Sequence, residues 1–290
     1  MRKSAFPGLL AIAVLLAALA LHAEQRVTHP YAGLSYIDRT DTAPRALHMH
    51  IVQVDLTAAG LRFKLSPPAG GREVVRQTTL EFLVTEHAQV AVNAHFFLPF
   101  PSTDTEAWLV GIAASDGRVY SAFESPDQDY ALLADAPGIN IDRANHATIV
   151  HRDRRQAAGT HVAEPVALWT TDAGSAQIVT AGATSIPDLA WYGAVNARTA
   201  IGLSQDGRTL TLFTVDKSGG SEGLQVGEVA DLLRHDYGVW DALNLDGGGS
   251  TTMVLQDPVT HEASVVNASS DNPAGRSVGS SLAVFARPRP

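Results

Sequence analysis

The sequence predicts an α+β fold: a mixed, mostly antiparallel β-sheet built from hairpins, with a few packed helices. Three observations predict it. Alternating apolar and polar stretches recur along the chain, Asp-Gly pairs sit between apolar runs, and only two segments show helical periodicity. With 290 residues, 45% hydrophobic and 18% charged, the chain is long enough to bury a sizeable core.

The first 23 residues stand apart. MRKSAFPGLLAIAVLLAALALHA begins with Arg2 and Lys3, continues in an apolar run from Leu9 to Leu21, and has small residues at Ala18, Ala20 and Ala23. That is the layout of a secretory signal, cut after Ala20 or Ala23; the run is short for a membrane span. The chain has no cysteine, so neither a disulfide nor a lipid-modified N-terminal cysteine is available. A secreted protein without bridges fits a bacterial periplasm or exterior, with no stable membrane anchor once the signal is cut. The expected layout is a signal over 1–23, a lead-in over 24–45, one domain over 46–286 and a tail over 287–290. Without the signal, 19 basic residues face 30 acidic ones, a net charge of −11. A surface of that sign does not attract nucleic acid.

Each element has its own signal. LHMHIVQVDL (47–56) alternates, with Leu47, Met49 and Ile51 on one face and His48, His50 and Val52 on the other; GLRFKLSP follows as its expected partner strand. Between Arg72 and His87, the spacing of Leu80, Leu83 and Val84 predicts a helix. VAVNAHFF (90–97) reads as a strand entering the core. IAASDGRVYSAF and IGLSQDGRTLTLFTVD each place Asp-Gly between apolar runs, the signature of a tight hairpin. LQVGEVADLLRHDYG is the second helix, with Val226, Val229, Ala230 and Leu233 as its stripe and Gly238 as its C-terminal cap. VWDALNLD (239–246) reads as a buried strand and SSLAVFA (280–286) as a closing one. The stretch 144–165, with Arg152, Arg154 and Arg155, is expected to be a surface loop.

The stretch DALNLDGGGSTTM raises the functional question. A buried strand that ends in Asp246 delivers a carboxylate to a sheet edge. Gly247, Gly248 and Gly249 permit positive φ and a close approach to the backbone. Successive N–H groups in such a turn make an anion-binding concavity, with hydroxyls from Ser250, Thr251 and Thr252 beside it. The pattern suits a metal–phosphate arrangement or an acid–base carboxylate next to a phosphate; a glycine-rich turn without a ligand is the simpler alternative. No Gly-Lys-Ser/Thr follows, so this is not a nucleotide P-loop.

Together, VNAHFF, RTAIGLSQDGRTLTLFTVD, SEGLQVGEVADLL and DALNLDGGGSTTMV resemble the phosphodiester glycosidase family, in the family's order and over roughly 46–286. The chain departs from the family pattern at Ala94 and His95, where glycine is common, and at Ala197, where proline often precedes the arginine. The resemblance implies a secreted or periplasmic hydrolase that cleaves a glycosyl-1-phosphate type of diester in a phosphate-linked glycan or exopolysaccharide. A non-catalytic carbohydrate-binding or assembly protein of polysaccharide export is the alternative. Such cleavage requires stabilising an oxocarbenium-like centre, holding the departing phosphate and activating water.

The resemblance implies Asp246 as the leading catalytic carboxylate, with Asp216 and, more weakly, Glu222 as further candidates. For phosphate or sugar it implies Arg198, whose planar fork suits phosphate oxygens, with the Gly247–Gly249 amides, Ser250, Thr251, Asn93 and Asn244. Arg276 is suggested by family position alone, and from pattern alone Arg198 could equally cap a hairpin. His95 is a candidate acid–base or substrate contact, although a buried, hydrogen-bonded histidine is the plainer reading. His48 and His50 share a face, but no third ligand at a recognisable spacing completes a zinc set. The Asp216 and Asp246 oxygens would suit Ca2+ or Mg2+; no cofactor is required by the sequence.

Overall fold

The computed structural model describes residues 23–124, 136–156 and 159–289. The expected signal segment lies outside them, apart from Ala23. Among the described residues two β-sheets stack face to face and an α-helix covers each outer face.

The larger sheet has eight strands, ordered Glu24–Thr28, Leu34–Asp41, Leu47–Asp55, Thr209–Val215, Arg198–Ser204, Val239–Asn244, Ala176–Thr180 and Ala183–Thr184. The second has five, ordered Ala263–Val265, Met253–Gln256, Val90–Asn93, Ser281–Phe285 and Arg62–Leu65. A further five-stranded and a three-stranded sheet flank them, and the pairings between described strands are antiparallel. The mostly antiparallel expectation therefore holds, and with two α-helices among the described residues the molecule is mainly β.

Alternation in 47–55 divides two cores. Met49 and Ile51 join Phe213, Ala200 and Ile178 beneath helix α2 (Val226–Tyr237), which contributes Val226, Val229, Ala230 and Leu233. Val52 and Val54 point the other way, with Leu212 and Leu243, against Val90, Val92, Leu282 and Val284 of the second sheet. Removing both apolar faces from water in one interface is what holds the sheets together. Helix α1 (Thr79–Glu86) packs Phe82 and Leu83 on the far side of the second sheet, against Ala91, Val254 and Ala283.

The local signals act as their chemistry requires. Thr78 and Glu81 cap α1 reciprocally, and Gly238 ends α2 at φ 66°. Asp116 and Gly117 both take positive φ, 50° and 79°, between paired Ser115 and Arg118, as a type I′ turn demands.

Four expectations need correction. The strand at 62–65 pairs with Ser281–Phe285 in the second sheet, not with 47–55, because its partner's place is taken on both sides by Leu34–Asp41 and Thr209–Val215. In α1 the buried apolar positions are Phe82 and Leu83, and Val84 is exposed. The segment read as a lead-in supplies two strands of the larger sheet. The stretch read as a loop contains a strand, Ala147–Val150, paired with Gly138–Ile141.

Candidate active site

An interior strand of the larger sheet, Val239–Asn244, runs out at Leu245 and Asp246 where the two sheets meet. Leu245 N–H donates to the Thr199 carbonyl at 2.9 Å, and Asp246 N–H donates to the Ala94 carbonyl at 3.0 Å. The chain end is thus fastened to both sheets within two residues. Asn93 completes the fastening. Its side-chain amide donates to the Asp246 carbonyl at 2.6 Å, while its oxygen accepts from Thr199 Oγ1 at 2.8 Å and Thr252 N–H at 3.0 Å.

Asp246 faces a cleft of about 290 Å3, lined by Phe96, Phe97, Phe100, Trp191, Asn196, Arg198, Gly247–Gly249 and Arg276. The residue keeps part of its surface open to this cleft, but its carboxyl is enclosed by protein. Burial pushes its pKa up to about 7, against the opposing Ser250 hydrogen bond, Arg276 charge and Gly247 amide. A carboxyl in that range exchanges a proton near neutrality.

Arg198 is 4% exposed. Its Nε donates to the Leu224 carbonyl at 3.2 Å, and one terminal nitrogen donates to the Trp191 and Ala194 carbonyls. Carbonyls fix its orientation without neutralising it. Burial lowers its pKa to about 10, so at neutral pH a full positive charge faces the cleft. Arg276 supplies a second charge: Nε donates to Asp271 Oδ2 at 2.7 Å, one Nη to Ser250 Oγ at 3.3 Å, and the guanidinium lies 4.7 Å over the Phe100 ring. Arg276 shares its charge with Asp271, whereas the hydrogen bonds of Arg198 go to carbonyls, so the concave site is locally basic against the acidic mean of the chain.

The glycines answer to geometry, and they differ from the expected anion-binding concavity. Gly247 N–H donates to Asp246 Oδ1 at 2.9 Å and Gly248 N–H to the Ala197 carbonyl at 2.8 Å. Those two amides are engaged within the protein, which leaves Gly249 N–H outside these bonds. Gly248 has φ +59°, and a Cβ on Gly249 would come within 2.3 Å of an Arg276 Nη. The triplet makes room for Arg276 and its partner Asp271 as much as for a ligand.

The sequence-based candidates separate into groups. Asp246, Arg198 and Gly247–Gly249 line the cleft, as does Arg276. Asn93, Ser250 and Thr251 are buried immediately behind it. Asn244 is buried too, donating to Ser175 Oγ at 3.0 Å and to the Leu245 carbonyl, and does not line the cleft. His95 is sealed in the core: Nδ1 lies 2.9 Å from Asp172 Oδ1 and Nε2 contacts the Ile112 carbonyl and Ala173 N–H. That placement denies it substrate. Glu222 is exposed, its backbone N–H held by the Ala46 carbonyl, and is not a lining residue. Asp216 is fully buried just past the end of the Thr209–Val215 strand, where Asn267 Nδ2 and Ala268 N–H donate to its two oxygens at 3.0 Å. It lines no part of the cleft, so a Ca2+ or Mg2+ site shared by Asp216 and Asp246 is not formed.

Trp191, Asn196 and Phe100 escaped the sequence reading. Trp191 and Asn196 sit in an aperiodic connection, 185–197, whose only regular piece is a short 3-10 turn. The FFLPFP run, which places Phe96, Phe97 and Phe100 at the cleft, was the available signal.

A phosphodiester glycosidase family model matches residues 86–285, which includes the cleft's Asp246, both arginines and the glycine triplet. The chain belongs to the phosphodiester glycosidase family. Among curated relatives, a 61-residue stretch is 46% identical to the N-acetylglucosamine-1-phosphodiester alpha-N-acetylglucosaminidase of Mus musculus, covering 21% of this chain and 11% of that protein. A 62-residue stretch is 47% identical to the Homo sapiens protein of the same name, covering 21% and 12%. The chain thus aligns with about an eighth or less of these relatives' length. Among solved structures, a Burkholderia pseudomallei protein described as exported superposes with a TM-score of 0.65 at 15% identity over 98% of this chain and 100% of that one. The catalytic domain of zebrafish N-acetylglucosamine-1-phosphodiester alpha-N-acetylglucosaminidase, auto-inhibited by its pro-peptide, gives 0.60 at 20% identity over 94% and 85%. These two show a shared fold.

Proposed function

We propose that the chain is an exported hydrolase that cleaves a glycosyl-1-phosphodiester in a phosphate-linked glycan or exopolysaccharide. Export is supported by the charged, apolar and small-residue pattern of 1–23. No helix among the described residues is long and apolar enough to cross a membrane.

One observation carries the chemical reading: a carboxyl titrating near 7 shares an aromatic-walled cleft with two guanidinium groups. The arginines bind the phosphate oxygens of the diester. Trp191 and the phenylalanines give the apolar face of a sugar a surface to lie on. Asp246, as carboxylate, takes a proton from water while the water oxygen bonds to the anomeric carbon. The bond from that carbon to the phosphate oxygen breaks, and its electron pair leaves on the phosphate held by Arg198 and Arg276. Asp246 ends protonated and the sugar ends with a free anomeric hydroxyl. Because phosphate is a good leaving group, one carboxyl serves where ordinary glycosidases use two.

That Asp246 is the one carboxyl lining the cleft among the described residues also favours a second reading, a polysaccharide-binding module without turnover. Incubation with the methyl phosphodiester of N-acetylglucosamine 1-phosphate separates them. Release of free sugar by the wild type and not by Asp246→Asn supports hydrolysis. Saturable binding without release, unchanged in Asp246→Asn, overturns it.

A further inference from the structure

Asp216, His48 and His50 form a cluster that the proposed activity does not use. His48 and His50 lie two apart in the strand Leu47–Asp55, so both side chains fall on one face. Register brings the rest. Asp38 pairs with His50 from one neighbouring strand, and Thr214 pairs with it from the other, which sets Asp216 close by.

Two distances within the cluster suit neighbouring ligands of one ion. Asp216 Oδ2 lies 3.6 Å from His48 Nδ1 and 3.5 Å from His50 Nε2. Neither contact is a hydrogen bond, and His50 Nε2, on a side chain 1% exposed, has no hydrogen-bond partner at all. An orphaned buried nitrogen is costly unless something binds it. For metal–ligand bonds of about 2.0–2.2 Å, tetrahedral geometry spaces neighbouring ligand atoms by roughly 3.3–3.6 Å.

The opposite atom of each side chain is held as metal ligands usually are. His48 Nε2 contacts Asp38 Oδ1 at 2.7 Å and His50 Nδ1 contacts Tyr36 Oη at 2.8 Å. Asp216 Oδ1 accepts from Asn267 Nδ2 at 3.0 Å. An Asp38 oxygen also lies within 4.8 Å of a ring nitrogen of each histidine. The side chains of Asp38 and His48 are 40% and 33% exposed, which provides an entry path and a solvent-facing fourth position.

We propose that His48 Nδ1, His50 Nε2 and Asp216 Oδ2 bind a divalent transition metal, Zn2+ by the chemistry of the donors, with Asp38 as the outer carboxylate. The ion is structural. It ties the strand Leu47–Asp55 to Asp216 and, through Asn267, whose amide also donates to the Thr251 carbonyl at 3.1 Å, to the glycine loop of the cleft.

The test uses the untagged full chain, treated with chelator, dialysed against Zn2+ and assayed by mass-spectrometric metal counting. About one zinc per wild-type chain is expected, with a Tm that rises on adding Zn2+, and less than a tenth of that stoichiometry in His48→Ala and His50→Ala. Asp38→Asn should weaken affinity about 10- to 100-fold. His48, partly exposed, supplies a variant that folds if His50→Ala does not, and Co2+ substitution should give a tetrahedral visible spectrum that His48→Ala lacks. No stoichiometric uptake by the wild type, equal uptake by both histidine variants, or loss of uptake in Asp246→Asn would each overturn the proposal. None of these readouts depends on the hydrolase reading.

Discussion

The side chain of Asn93 donates to the main-chain carbonyl of Asp246 at 2.6 Å, across the junction of the two sheets. The bond joins a residue at the end of one sheet's strand to the residue just past the end of the other's. Asn93→Ala leaves the Asp246 carbonyl, the Thr199 hydroxyl and the Thr252 N–H without their partner in a buried place. A loss of roughly 2–4 kcal/mol is expected, read as a fall in Tm by thermal denaturation and as reduced turnover. An unchanged Tm would mean that the junction is held elsewhere.

Asp246→Asn should lower kcat/KM for a sugar-1-phosphodiester by roughly 10^2–10^4-fold. The same change should stabilise the fold in a pH-dependent way. The folded pKa, about 7, lies above the unfolded value of 3.8, so between them the folded state binds the extra proton and stability falls as pH rises. Above pH 7 the folded protein bears the whole cost of a buried charge. The variant should gain on the order of 2 kcal/mol at pH 8 and little at pH 3.5. Denaturant midpoints at the two pH values check this, and an equal gain at both refutes the assignment.

The pH profile of kcat/KM follows from the two displaced groups. Turnover should rise as Asp246 ionises near pH 7 and fall as Arg198 loses its proton near pH 10. A profile that instead declines from pH 5 to 8 would make Asp246 a proton donor in place of a base.

Arg198→Lys retains charge but cannot keep the carbonyl contacts to Leu224, Trp191 and Ala194 together. Losing one or two charge-assisted bonds to the diester should reduce kcat/KM about 10- to 100-fold. Inhibition by inorganic phosphate should weaken in parallel; a variant with wild-type phosphate inhibition would remove Arg198 from the anion site.

Gly249→Ala puts a methyl where the Arg276–Asp271 pair now lies. Because the conflict is with the far ends of side chains, the fold should lose no more than about 1–2 kcal/mol while Arg276 is displaced from the cleft. KM should rise more than kcat falls. Steady-state kinetics with the diester distinguishes this from general destabilisation, which would leave KM unchanged.

Local chemistry made much of the fold legible. The α2 stripe with Gly238, the I′ turn at Asp116-Gly117 and the alternation around Met49 and Ile51 each depend on neighbours in sequence. Pairing does not. Nothing in GLRFKLSP marks Phe63 as a partner of Val284 and not of the strand just before it. The site divides in the same way. Asp246 with its glycines stood out as one stretch, whereas Trp191 lies in a connection without periodicity and Glu222 reads as acidic without revealing that it faces solvent. Asp216 was grouped with Asp246 because each ends a strand; burial against Asn267 and the histidine pair separates them. The third partner of His48 and His50 was invisible for the same reason, since cross-strand register is absent from spacing along the chain.

The fastening of Leu245 to Thr199 and of Asp246 to Ala94 also dictates when the protein becomes competent. The cleft draws on positions 96–100, 191–198, 246–249 and 276, so no excised fragment reproduces it. During refolding, capture of a phosphate-bearing ligand should therefore appear only in the last kinetic phase, after bulk secondary structure has returned.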